Sequence, residues 1–221
     1  DLFISEALAR GEALGPVTVV QSSGDAGRSR RLAALASPGG FPVRVEGIEN
    51  GSPVSRIVQV RSVARALSTG TDWPEIARIA AEEAEVILSN TGDAGWPASA
   101  DDSAAEFRQG MSYPAKLTQL LLARFRAGGR SIVVMPTELV VRNGDQLRAR
   151  VLRLAAPLGA DFADWVAGQV VFANSLVDRI VSEPLDPAGA VAELYALWAI
   201  EACPGLVLPC RHPAVQLVAD L

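Results

Sequence analysis

ILSNTGDAGW, Ile87 to Trp96, changes character at its third residue. Ile87 and Leu88 close a short apolar run of the kind that forms a buried strand. Ser89, Asn90, Thr91, Gly92 and Asp93 follow with hydroxyls, an amide, a carboxylate and a flexible backbone. A plain turn accounts for those residue types, and so does the floor of a binding site at a strand's exit. The flanking segments decide which sheet the strand belongs to.

Upstream, DWPEIARIAAEEA reads as a helix capped by Asp72 or Thr71, with Pro74 in its first turn and Ile76, Ile79 and Ala80 on its inner face. Downstream, residues 97–110 are polar and read as a mobile loop. YPAKLTQLLLARFRAGG then predicts a helix with Leu117, Leu120, Leu121 and Phe125 inward, ended by Gly128-Gly129. SIVVMPTEL predicts a second buried strand leaving through Pro136 and Thr137 to Glu138.

The same alternation extends outward. A helix over residues 1–10 precedes VTVVQ (Val17 to Gln21), a run typical of a buried parallel strand. FPVRVEGIENGSPVSRIVQVRSV holds two extended runs about Asn50-Gly51, a hairpin dipeptide. GDQLRARVLRLAAPLG and DFADWVAGQ predict helices, and FANSLVDRIVS an extended or mixed segment. ELYALWAIE and GLVLP predict late strands, with Trp198 in the core, and HPAVQLVADL a helix starting at Pro213. Strand–helix alternation predicts an α/β fold: a mainly parallel sheet with helices on both faces. Ligands bind such sheets beyond the carboxyl ends of the strands. The exits Gln21-Ser22-Ser23, Ser89-Asn90-Thr91 and Pro136-Thr137-Glu138 are therefore the places to look.

Composition narrows the function. With 49% hydrophobic residues the 221-residue chain can bury a core, and a net charge of −5 gives no support to nucleic-acid or anionic-membrane partners. No apolar run reaches the roughly 20 residues of a membrane helix, and no signal peptide opens the chain, so a cytoplasmic location is expected. Cys203 and Cys210 have the option of pairing but make no disulfide framework. A single histidine, His212, argues against a zinc site, and its place before Pro213 suits a structural or surface role. Lys116 is the only lysine, so a mechanism needing a lysine base must use it or one outside these residues. No G-x-G-x-x-G follows a strand. That fingerprint belongs after a first strand, expected before Asp1, because both ends read as cut.

ILSNTGDAGW, YPAKLTQLLLARF, VVMPTELVVRNGDQL, FANSLVDRIV and LYALWAIE occur in the order and spacing of the mannitol dehydrogenase family, the polyol-specific long-chain dehydrogenases, which this chain resembles. The resemblance spans the chain and is weakest before Ile57. The TEL of Thr137-Glu138-Leu139 resembles the tagaturonate and fructuronate reductases of that family, where polyol enzymes have an aspartate–asparagine pair; Leu139 replaces that asparagine.

The resemblance implies a Rossmann-like, doubly wound NAD(P)-binding domain over residues 1–221, a helical catalytic domain beyond residue 221, and hydride transfer between NAD(H) and a hexuronate without a metal. Its catalytic lysine, asparagine and histidine are expected beyond Leu221, and Lys116 matches a helix start instead. By the same resemblance Ser89, Asn90 and Thr91 line the cofactor, with Gln21 at the earlier exit. Asp93 is balanced between a turn carboxylate and a group facing the site. Glu138 either positions substrate or accepts a hydrogen bond from a neighbouring loop, and Asn143 supports that loop. Asn174 and Asp178 fall in FANSLVDRI, where the resemblance places Asp178 in the substrate cleft with Asn174 in support, against the rival reading of a buried Asp178 network. NAD is the family's cofactor, and Arg28, Arg30 and Arg31 leave NADP open. The partner implied is a small sugar acid or polyol; a mannitol-type dehydrogenase and a non-catalytic binding domain are the alternatives, and oligomeric state is not legible.

Overall fold

A computed structural model describes residues 2–92 and 95–221. The chain folds as two compact units. One comprises Asp1–Thr71, Val177–Trp198 and Leu208–Gln216, and the other Asp72–Leu176, Ala199–Val207 and Leu217–Leu221.

In the first unit, helix α1 (Leu2–Ala9) precedes strand β1 (Val17–Gln21), and a short helix α2 (Ser29–Leu35) precedes strands β2 (Phe41–Glu49), β3 (Ser52–Val60) and β4 (Val63–Ser68). Asn50 and Gly51 both take positive φ, 51° and 78°. Two such residues make the tight turn whose twist matches a hairpin, and β2 and β3 pair antiparallel from Phe41↔Val60 to Glu49↔Ser52. The alternation of β2 puts Phe41, Val43 and Val45 into a core with Val60, Val63, Ala188 and Ala192. β1 pairs in parallel with β4. Strands β9 (Val181–Pro184) and β10 (Ala190–Glu193) extend the hairpin sheet to the order β3-β2-β10-β9.

In the second unit, helix α3 (Trp73–Glu82) leads to β5 (Val86–Ser89), α4 (Tyr113–Arg126), β6 (Ile132–Pro136), α5 (Asn143–Ala155), α6 (Ala160–Gln169) and β7 (Val170–Phe172). β5, β6 and β7 form a parallel sheet in that order. β6 is buried along its whole length. Leu117 and Leu121 from α4, Leu147 and Val151 from α5, and Phe162 and Val166 from α6 make the core. Arg124 of α4 is 3% exposed, and its guanidinium donates to the carbonyls of Ala80, Ala84, Arg130 and Ser131. A buried cation is stable there because its N–H groups meet the carbonyls at and just beyond the end of α3.

Several expectations change. The strands do not form one doubly wound sheet. Parallel pairing joins β1 to β4, β2 to β10 and β5 to β6 to β7, whereas the β2-β3 hairpin and β9-β10 pair antiparallel. β-branched runs serve both pairings, so their composition did not distinguish them. β1 is half-exposed rather than buried, and in β5 the most buried residue is Ser89, not an aliphatic one. GLVLP is not a strand; the Leu206 amide donates to the Cys203 carbonyl in a turn. The helix expected from Pro213 is replaced by strand β12 (Val215–Val218), in which the Val218 carbonyl accepts from the Ala202 amide. A spacing of four apolar residues fits either period over so short a span. β8 (Ser175–Asp178) and β11 (Leu197–Glu201) complete the strands, and Trp198 is buried as expected.

Residues 97–110 hold a 3-10 turn, Ala100–Ser103, closed by a capping box between Ser99 and Asp102. The Asp102 carboxylate accepts from Ser112 N (2.7 Å), Ser112 Oγ (2.8 Å), Ser99 N (3.2 Å) and Arg150 (3.2 Å). Burial pulls its pKa upward, but the Ser112, Ser99 and Arg150 hydrogen bonds outweigh that pull and hold it below the ordinary 3.8. A depressed carboxyl stabilises the fold above its unfolded pKa and loses that contribution as pH falls through the folded one. The difference in unfolding free energy between wild type and Asp102→Asn should therefore shrink between about pH 6 and about pH 3, measured by urea titration. An unchanged difference contradicts this linkage. Arg124→Met should lower the unfolding free energy by about 3 kcal/mol or more, because it strands buried carbonyls.

Candidate functional site

Parallel pairing of Ser89 with Pro136 brings the carboxyl ends of β5 and β6 side by side. The Ser89 carbonyl accepts from Thr137 N (2.9 Å) and Thr137 Oγ1 (2.7 Å), extending the contact past the strands. One residue later, Glu138 turns its side chain back across the exit. Its Oε2 accepts from Ser89 Oγ at 3.0 Å, and its Oε1 accepts from Thr91 N at 2.8 Å and Thr91 Oγ1 at 3.0 Å. Ser89 is 5% and Glu138 9% exposed. Of the two readings of Glu138, the bond to a neighbouring loop is the one its geometry makes.

Tyr113, the first residue of α4, buries its phenol oxygen at this cluster, with no completed hydrogen bond among the described residues. Burial raises its pKa, the Glu138 charge adds to the rise, and the nearby Ser89 only partly opposes it. The phenol is therefore a neutral donor in the physiological range. Sequence reasoning missed it; a tyrosine directly after the Ser112 cap was the available signal.

Asn143, the first residue of α5, is 1% exposed. Its Nδ2 donates to Pro136 O (3.1 Å), Glu138 O (3.0 Å) and Ser175 O (2.7 Å), and its Oδ1 accepts from Gly144 N (2.9 Å) and Ser175 N (3.0 Å). One amide thus joins the β6 exit, the start of α5 and the start of β8. Gly144 follows because a Cβ there would lie 2.6 Å from the Ala173 carbonyl carbon and 2.8 Å from Asn174 N. Asn174 is 6% exposed and is held in turn: Oδ1 accepts from Asp145 N, and Nδ2 donates to Asp145 Oδ2 (3.3 Å) and Glu201 Oε2 (2.9 Å).

The remaining expected residues are placed differently. Asn90 is exposed beside this cluster. Asp93 lies outside the described residues. Gln21 belongs to the first unit, where its side chain accepts from Ser68 Oγ and donates to Asp25 O. Asp178, also of the first unit, is exposed in β8, so a buried Asp178 network is not found. Leu139, in the asparagine's place, is 84% exposed. Lys116 is buried inside α4, and burial lowers its pKa. His212 Nε2 lies 2.7 Å from Glu6, with its ring against Phe3, in the structural role expected. Both cysteines are free thiols. Among the described residues no cluster of His, Cys, Asp and Glu is set to hold a metal, and no helix is long and apolar enough to cross a membrane.

The parallel β5-β6-β7 sheet belongs to a mixed α/β fold, and its paired exits, which gather hydroxyls, an amide and a carboxylate, are the candidate ligand site of such a sheet. The chain belongs to the mannitol dehydrogenase family: residues 42–206 match the family described as mannitol dehydrogenase Rossmann domain. It is 38% identical over 141 residues to an altronate oxidoreductase of Enterobacter sp. (strain 638), covering 61% of this chain and 29% of that protein. It is 31% identical over 209 residues to an altronate oxidoreductase of Bacillus subtilis (strain 168), covering 85% of this chain and 42% of the relative. The chain thus spans less than half the length of these relatives. The fold matches Pseudomonas fluorescens mannitol 2-dehydrogenase in ternary complex with NAD and D-mannitol, with TM-score 0.77 and 19% identity over 99% of this chain and 50% of that one. It also matches a substrate-free D-sorbitol dehydrogenase, with TM-score 0.76 and 17% identity over 100% and 52%.

Asn143→Ala should lower the unfolding free energy by about 3 kcal/mol or more, since buried donors and acceptors lose their partners together. Tyr113→Phe should change it by less than about 1 kcal/mol, because the phenol completes no bond in the free protein. Chemical denaturation measures both. A Tyr113→Phe loss as large as that of Asn143→Ala would show that the phenol is bonded.

Proposed function

We propose that this chain is the NAD(H)-binding part of an oxidoreductase that interconverts a keto-hexuronate and the corresponding aldonate, tagaturonate with altronate being the first pair to test. The observation that carries the reading is the paired β5-β6 exit, with Ser89, Thr91 and Glu138 bonded together, in a chain of this family. The altronate oxidoreductases among the relatives and the Glu138-Leu139 pair favour the uronate over a polyol.

The residues present fit the nicotinamide side of such a cofactor. Exposed Asn90 and half-buried Thr91 offer polar contacts at the strand ends. NADH supplies the hydride at its nicotinamide ring. Buried Ser89 lends its hydroxyl to Glu138 and so supports the exit from beneath. Gln21, at the end of β1, is kept as a cofactor contact on the family resemblance alone. Asn174 holds Asp145 and Glu201, a positioning task. Asp178, exposed, and Asp93, which lies outside the described residues, are the carboxylates proposed to face substrate. The proton for the product alkoxide is assigned, on the family resemblance, to a lysine of a helical domain outside residues 1–221; Lys116 is buried within a helix. A cytoplasmic setting and NAD rather than NADP complete the reading.

The test is NADH oxidation by the full-length protein with tagaturonate, fructuronate and fructose in parallel. Turnover of a uronate is expected. Turnover of fructose alone contradicts the uronate assignment, and turnover by residues 1–221 alone contradicts placing the proton donor outside them.

A further inference from the structure

The hydrogen bonds of the exit fix where its protons point. A carboxylate has only lone pairs to offer, so each group bonded to Glu138 must give it a proton. Ser89 Oγ gives its proton to Oε2, and Thr91 Oγ1 gives its proton to Oε1, which also takes the Thr91 amide proton. A hydroxyl that has given up its only proton is left with lone pairs alone. Ser89 is buried, but Thr91 is half-buried and next in the chain to exposed Asn90. The exit looks amphoteric in sequence, with two hydroxyls at Ser89 and Thr91, yet the folded protein has converted Thr91 into an acceptor. Gly95 approaches Thr91 closely: a Cβ there would come within 3.0 Å of Thr91 Cβ and 3.2 Å of its Oγ1.

We infer that Glu138 is a positioning residue which sets the hydrogen-bond polarity of the site, making Thr91 Oγ1 an acceptor that selects an N–H or O–H donor on the bound nicotinamide nucleotide. The inference rests on the NAD(H) reading above and deepens it. Two donors on such a nucleotide have the required chemistry, the carboxamide N–H and a ribose O–H. Glu138 itself does not touch the ligand. Its task is to hold two protons inward so that a lone pair faces outward.

The experiment is a fluorescence titration of the full-length protein with NADH and with reduced 3-acetylpyridine adenine dinucleotide, which lacks the carboxamide N–H. Thr91→Val should weaken NADH binding about tenfold, the scale of one hydrogen bond with a poorly solvated partner. Thr91→Ser should restore most of it. Glu138→Leu should weaken NADH as Thr91→Val does. Glu138→Gln should recover much of that loss, since its Oε1 still accepts both Thr91 protons while its amide N–H turns to Ser89. If Thr91→Val weakens NADH but not the acetylpyridine analogue, the donor is the carboxamide; if it weakens both alike, the donor is a ribose hydroxyl. Both outcomes support an acceptor at Thr91. Thr91→Val that binds NADH as wild type does overturns the inference, and so does Glu138→Gln that loses as much as Glu138→Leu. Wild-type protein that binds neither nucleotide contradicts the NAD(H) reading itself and removes the basis of the inference with it.

Discussion

The Glu138 carboxylate, bonded to Ser89 and Thr91, is the interaction on which the candidate site depends. A buried carboxylate is expensive unless its lone pairs are met by donors. Here the donors come from the segment leaving β5, while the acceptor comes from the segment leaving β6. The need to satisfy one charge therefore draws two strand exits together. This explains why a strand of the core ends in the least exposed residue of its run, a serine, rather than in another aliphatic one. Polar chemistry sits inside because the carboxylate requires it there.

Asn143 and Gly144 anchor the same exit from the far side. Asn143 receives and gives enough hydrogen bonds to fix Pro136, Glu138 and Ser175 at once. Gly144 lets the first turn of α5 approach Ala173 and Asn174 more closely than any side chain permits. Position and charge are thereby supplied by different residues. Asn143 places the backbone of Glu138, and Ser89 and Thr91 orient its side chain. The Asn174–Asp145–Glu201 group continues the tie towards Glu201 within the same unit.

Much of this was legible in the sequence, for identifiable reasons. The helices over Trp73–Glu82, Tyr113–Arg126 and Asn143–Ala155 followed from apolar period, although Asp72 precedes the first without a side-chain cap bond, and Asn50-Gly51 announced the hairpin. The motif order pointed to the family that residues 42–206 match. Sheet partnership was not legible, because Val and Ile runs pair equally well in parallel or antiparallel, and Val215–Val218 was too short to show a period. Within the site, sequence picked out Ser89, Thr91 and Glu138 but not that they bond to one another. Neighbours 47 and 49 positions apart in the chain meet only through β5-β6 register. Tyr113 and the Asn174 partners were missed for the same reason. Asn174 was expected only as a supporting residue, without partners, and its amide spans two carboxylates.

If the β5-β6 exit receives the nicotinamide end of the cofactor, a crystal structure of the full-length protein with NADH will show it. The nicotinamide–ribose half should lie beside Asn90, within hydrogen-bonding distance of Thr91 Oγ1, with Glu138 still bonded to Ser89 and Thr91. A nicotinamide bound elsewhere, or a Glu138 side chain that leaves Thr91 to contact the ligand itself, would contradict that placement.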